Sequence, residues 1–229
     1  AIVRCGDVGL GGIGAHAHND QLSFELALGN QPLIVDPGSY VYTADAQARN
    51  AFRATRAHST LSVGGAEQSR LREDYLFALA EEAHARRLRF EADGPTALFE
   101  GEHRGFRELG REVCHRRRLR FDALGGVVGI ADKVLGAQGE ELLWSFPLAP
   151  GGVASAEGSR ALASFPGAQL QVEAEGAELF VESGWLSPSY GVRVPTQVLR
   201  ARRIAESDED TTRFTLRARP GPQARAPRA

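Results

Sequence analysis

Helical periodicity is almost absent from this chain, and no other feature limits its fold as strongly. Short runs of alternating apolar and polar residues follow one another, separated by turn residues. Leu22-Ser23-Phe24-Glu25-Leu26 alternates, and Gly29-Asn30 turns the chain back into Leu33-Ile34-Val35, which is a hairpin signal. Further strands are expected at residues 60–63, 85–92, 96–103, 113–122, 127–135, 141–147, 169–174, 178–182, 190–194, 197–205 and 211–218. Asp93-Gly94-Pro95, Gly125-Gly126, Gly151-Gly152 and Gly184 punctuate them. Arg116-Arg117-Arg118-Leu119-Arg120-Phe121 fits a strand with one wet face. Strands broken by turns every roughly 8–12 residues predict an all-β fold, a large antiparallel β-sandwich.

One or two short helical inserts interrupt this texture. Residues 44–55 read as a helix with Asp45 as its N-cap, and a shorter candidate lies near 74–82. Residues 1–219 are expected to form the sandwich. Residues 220–229 hold three prolines and almost nothing apolar, so a disordered tail is expected. The chain starts at Ala1 and has no methionine, so it reads as a piece of something longer; no signal peptide is visible.

Charge excludes several partners. Twenty-seven basic residues against 29 acidic ones give a net charge of −2, too little positive field to hold a nucleic acid or an anionic membrane by bulk electrostatics. No apolar run approaches the ~18 residues of a membrane-spanning helix. Cys5 and Cys114 are too few for a disulfide framework.

The chemistry is concentrated in the first quarter. A glycine-rich approach leads into His16-Ala17-His18-Asn19-Asp20. In extended backbone, residues two apart share a face at roughly 7 Å spacing, so both imidazoles can reach one cleft. Asp36 ends an apolar strand before Pro37-Gly38, and His58 opens the next strand. Two imidazoles and a carboxylate suit zinc with one open position. Each residue also has a plainer reading: Asp before Pro-Gly is common turn chemistry, and His58 could be a satisfied core histidine. A cupin-type site needs an acid four or five residues after the second histidine; Leu22 and Ser23 stand there.

These segments resemble the opening of the β-sandwich domain in the heparinase II/III-like polysaccharide lyases. The motifs are HAHND with LSFEL, LIVDPGSYVYT, and RNAFRATRAHST, with weaker likeness in EHRGFRELG and HRRRLRFD. The resemblance implies β-elimination on an acidic, uronic-acid-containing polysaccharide such as alginate, a glycosaminoglycan or a bacterial exopolysaccharide. It implies His18, Asp36 and His58 as ligands of a structural Zn2+ and His16 as the catalytic histidine. Asn50 and Arg53 are implied as supporting or sugar-contacting residues, and His103 as a cleft residue. It also implies an N-terminal (α/α) toroid, absent from this chain, that supplies most of the proton transfer, and a periplasmic or secreted setting. His115, among arginines, is expected on a solvated strand face, and Tyr40 and Tyr42 are expected to pack. Ser59 stands where the family often has Asn. A non-catalytic carbohydrate-binding or structural module is the alternative function.

Overall fold

The computed structural model describes residues 1–9, 13–72 and 75–221. The strands are β1 (Ile2–Val3), β2 (Phe24–Leu28), β3 (Gln31–Ile34), β4 (Leu61–Val63), β5 (Arg86–Asp93), β6 (Thr96–His103), β7 (Cys114–Asp122) and β8 (Val127–Leu135). After them come β9 (Glu141–Pro147), β10 (Val153–Glu157), β11 (Arg160–Phe165), β12 (Ala168–Glu175), β13 (Glu178–Ser189), β14 (Val192–Ile204) and β15 (Glu209–Pro220). One helix, α1 (Ala46–Arg53), precedes β4. The expected tail lies outside the described residues from 222 onward, and Pro220 closes β15.

Eight strands form one sheet in the order β10-β11-β12-β15-β8-β7-β6-β5, facing β13-β14-β9-β4 and β1-β2-β3. An antiparallel bridge between Ile34 and Leu148 joins the two smaller sheets. Every strand pair is antiparallel, as in β7 with β8 and β14 with β9. The all-β sandwich is therefore what the structure shows. The core between the layers is closed by aromatic edges. Phe214 of β15 meets Trp144 at 5.3 Å and Phe146 at 5.5 Å, both on β9, and Phe146 meets Phe24 of β2 at 6.2 Å. Edge-to-face pairs at such distances add stabilisation beyond area burial.

Three expectations need correcting. β10 and β11 read VASAE and RALASF; their small residues gave too weak an alternation to be read as strands. Gly184 is not a turn but continues β13, which pairs with β14 as a long ribbon through Gly184 and Thr196. Residues 75–82 contain no helix, and 73–74 lie outside the described residues. Helix α1 is shorter than expected but starts as read, with Asp45 Oδ1 accepting from the Ala48 N–H.

Candidate active site

The segment bearing His16 and His18 is not an extended strand but a series of turns, so the two imidazoles do not share a strand face. They nevertheless line one open cleft of about 570 Å³, with Asp20, Asp36, Ser39 and Ser59. His16 is exposed. Its ring stands edge-on to Tyr42 at 5.3 Å and to Phe77 at 5.8 Å.

Deeper in, the three expected ligand residues come together. The His18 and His58 rings lie 5.2 Å apart. His58 Nδ1 and Asp36 Oδ2 are 2.9 Å apart, with the histidine fully buried and Asp36 41% exposed. Burial opposes charge on His58, but the Asp36 hydrogen bond and charge outweigh it and raise its pKa. Burial works against Asp36 as well; the His58 contact prevails and holds the carboxyl down at about 2. His18 is pulled down to about 3 by burial first, then by His58 and Arg49.

Arg49 is the residue that sequence reasoning missed here. It projects from the buried face of α1 one turn before Arg53, and its Nη1 lies 3.2 Å from His18 Nε2. Arginine can only donate, so His18 Nε2 holds an unprotonated lone pair. Ser39 Oγ is also 3.2 Å from that nitrogen. Arg49 itself is poorly satisfied: it is fully buried, and its Nε and Nη2 lack partners.

Among the described residues, no three His, Cys, Asp or Glu side chains already stand close enough to grip an ion. The donor chemistry still fits zinc. His18 offers an unprotonated lone pair, Asp36 is an anion, and His58 Nε2 and the neighbouring Asp20 Oδ1 are buried without a hydrogen-bond partner, Asp20 Oδ1 having only the Arg4 Nε at 3.6 Å. An ion here would have to displace Arg49 and Ser39 from His18.

The remaining expected residues sit elsewhere. Arg53 is fully buried, and its guanidinium donates to the carbonyls of Leu76 at 2.6 Å and Ala78 at 2.8 Å. It thereby fastens the segment that carries Phe77 beneath His16. Asn50 is half-buried, with Oδ1 unpartnered. His103 lies in the core rather than on the cleft. His115, expected in solvent, is fully buried. The physical reason is register: Arg116 and Arg118 turn outward from β7, while His115 and Arg117 turn inward.

His103, His115, Arg117 and Asp132 form a sealed network behind the cleft. The Gly105 N–H donates to His103 Nδ1 at 3.2 Å. His103 Nε2 must then carry the proton facing His115 Nδ1 at 3.3 Å, and His115 Nε2 meets Asp132 Oδ1 at 3.0 Å. Asp132 also accepts both arms of Arg117, at 2.8 and 2.6 Å, and the Trp144 indole N–H at 2.7 Å. Arg117 Nη1 reaches the carbonyls of Leu22 and Ser59. Ser59 Oγ in turn donates to the Phe24 carbonyl and accepts the Phe24 N–H. The network thus holds the backbone at Leu22 and at Ser59, next to His58. One sequence signal could have found it: Asp132 occupies an inward position of β8 among Val128, Ile130 and Val134.

The heparinase II/III-like C-terminal family matches residues 1–217. Among solved structures, the heparan sulfate lyase HepC from Pedobacter heparinus superposes with a TM-score of 0.74 at 18% identity over 91% of this chain. A heparinase III gene product gives 0.75 at 20% identity over 96%, and another heparinase III gives 0.72 at 19% over 93%. These likenesses show a shared fold. Each covers only 32% of the other chain, so this chain spans about a third of their length. No curated protein sequence matches it.

Proposed function

The chain belongs to the heparinase II/III-like C-terminal family, and from that premise we propose that it is the β-sandwich part of a polysaccharide lyase that cleaves uronic-acid-containing polysaccharide by β-elimination. The observation that carries this reading is His16, exposed on the wall of a cleft whose floor is built by His18 and Asp36.

In β-elimination a base removes the C5 proton of the uronate, the electron pair becomes the C4–C5 double bond, and an acid protonates the departing O4. The uronate carboxylate must be neutralised for C5 to release its proton. His16 is assigned to this carboxylate or to proton transfer, since an imidazole ring offers nitrogens that can donate or accept a hydrogen bond. Tyr42 and Phe77 fix its ring by edge-on packing, and Arg53 fixes Phe77 through the flanking carbonyls. Bound at His18, Asp36 and His58, zinc would supply a fixed positive charge that pins the loop carrying His16. A companion N-terminal domain would complete the proton-transfer set, so the chain alone is expected to turn over little or not at all.

The test is His16→Ala in the full-length protein, read by the ultraviolet absorbance of the unsaturated uronate product. Loss of turnover with unchanged zinc content and unchanged thermal stability is expected. Equal loss of metal in that variant would reject the division of roles. A full-length protein that releases no unsaturated uronate from any acidic polysaccharide would favour a binding module.

A further inference from the structure

The β13–β14 ribbon reaches over the cleft wall and is fastened there. The Ser187 N–H donates to the Pro37 carbonyl at 2.8 Å, and the Gly191 N–H to the Tyr40 carbonyl at 2.7 Å. The approach is so close that a Cβ on Gly38, whose φ is +77°, would lie 2.3 Å from the Ser187 carbonyl oxygen. The ribbon end is therefore part of the loop that delivers Asp36.

This end carries large rings in solvent, with Trp185 45% and Tyr190 62% exposed. Arg193 lies 4.4 Å above the Trp185 ring and 5.2 Å above Tyr40. Tyr190 meets Tyr42 at 5.5 Å, and Tyr42 is the ring against which His16 stands. A row of rings thus runs from His16 to the ribbon tip. Among the described residues Arg193 makes no ion pair with a carboxylate; its partners are the two rings. Nearby arginines differ: Arg200 and Arg202 on the same strand are neutralised by Glu182 and Glu178.

We propose that Trp185, Tyr190 and Arg193 form a platform that binds an anionic sugar unit of the polysaccharide beside the His16 cleft. The exposed Tyr190 ring can accept the apolar face of a sugar ring. The Arg193 guanidinium, held over Trp185, can bind a carboxylate or sulfate through two parallel hydrogen bonds. The charge selects an acidic saccharide over a neutral one, and continuity with the His16 wall places it as a neighbour of the reacting unit. The proposal rests on the lyase reading for its ligand class, and its test separates the two.

The chain is titrated calorimetrically with size-defined heparan sulfate and alginate oligosaccharides, and with a neutral maltooligosaccharide. Arg193→Gln and Trp185→Ala are compared with the unsubstituted chain, each checked for folding by circular dichroism. Either acidic probe should bind, with affinity falling as salt rises. Arg193→Gln should weaken binding roughly tenfold, the scale of one charge-assisted contact, and Trp185→Ala, which removes the ring that holds the guanidinium, should weaken it by a similar factor. That result supports the platform even if the full-length protein forms no elimination product, which would overturn the lyase reading alone. Unchanged affinity in both variants, no binding of either acidic probe, or equal binding of the neutral probe overturns the platform.

Discussion

Two histidine clusters stand back to back in this sandwich, and they use the same chemistry in opposite ways. Around Asp132 the carboxylate is fully matched: one imidazole, a guanidinium and an indole converge on it in complete burial, and a second imidazole, His103, backs the first. Around Asp36 the accounts do not close. His58 Nε2, Asp20 Oδ1 and two nitrogens of Arg49 are buried without hydrogen-bond partners, and the carboxylate of Asp36 opens toward the cleft. Burying an unmatched polar group costs free energy, so a chain that tolerates several at one place keeps them for something other than stability. The matched cluster is scaffold; the unmatched one is the candidate site.

The largest expected difference is mechanical. Asp132→Ala leaves the Arg117 guanidinium buried without its counter-charge and should cost about 3–5 kcal/mol, measured by urea unfolding. Asp36→Ala, with its half-exposed carboxylate, should cost less, about 1–2 kcal/mol, because it leaves only the buried His58 Nδ1 without its acceptor. Equal losses would erase the contrast. A smaller effect separates the clusters by ligand. Zinc at a hundredfold excess over its dissociation constant should raise the chain's stability by about 2.7 kcal/mol, seen as a higher melting temperature. His58→Ala should abolish that gain, and Arg49→Met should enlarge it by releasing the His18 lone pair. A zinc response that survives in His58→Ala would place the ion elsewhere.

The smallest effect is acid sensitivity from the sealed cluster. Burial first, then the positive neighbours His115 and Arg117, hold His103 below the ordinary 6.5. Burial also dominates at His115, where Asp132 pulls the other way. The unfolded chain therefore takes up protons that the folded chain refuses. This cluster's contribution is full above about pH 6.5 and falls as the pH drops below it, by at most about 1.4 kcal/mol per pH unit for each histidine that stays neutral in the fold. His103→Gln should shallow the acid slope between roughly pH 5 and 6.5, leaving the part that comes from His115 and from His18 in the cleft. A slope unchanged in this variant would show that the pair does not titrate as described.

Much of this was legible in the residues, though unevenly. Alternation in β8 and β9 is strong because Val, Ile, Leu and Trp carry it. β10 and β11 escaped because Ala and Ser hardly differ in hydropathy from their neighbours. His16, His18, Asp36 and His58 could be singled out because they sit in short motifs beside turns. Arg49 could not, because its contact with His18 spans 31 residues and depends on how α1 docks. His115 was misread because its neighbours in sequence are arginines, whereas its neighbours in space follow the two-residue period of β7. The ribbon was obscured by Gly184, whose missing side chain suits a crowded place: a Cβ there would lie 2.6 Å from Val198.

The bare α-carbon of Gly38 has a consequence for anyone reshaping this protein. Because the ribbon rests directly on the turn after Asp36, the two cannot be redesigned as independent parts. Shortening or regrafting the ribbon to admit a different saccharide would drag the carboxylate with it, and rebuilding the turn would tilt the rings. Altered selectivity is more safely sought by exchanging side chains at Trp185, Tyr190 and Arg193 than by changing the length of either backbone segment.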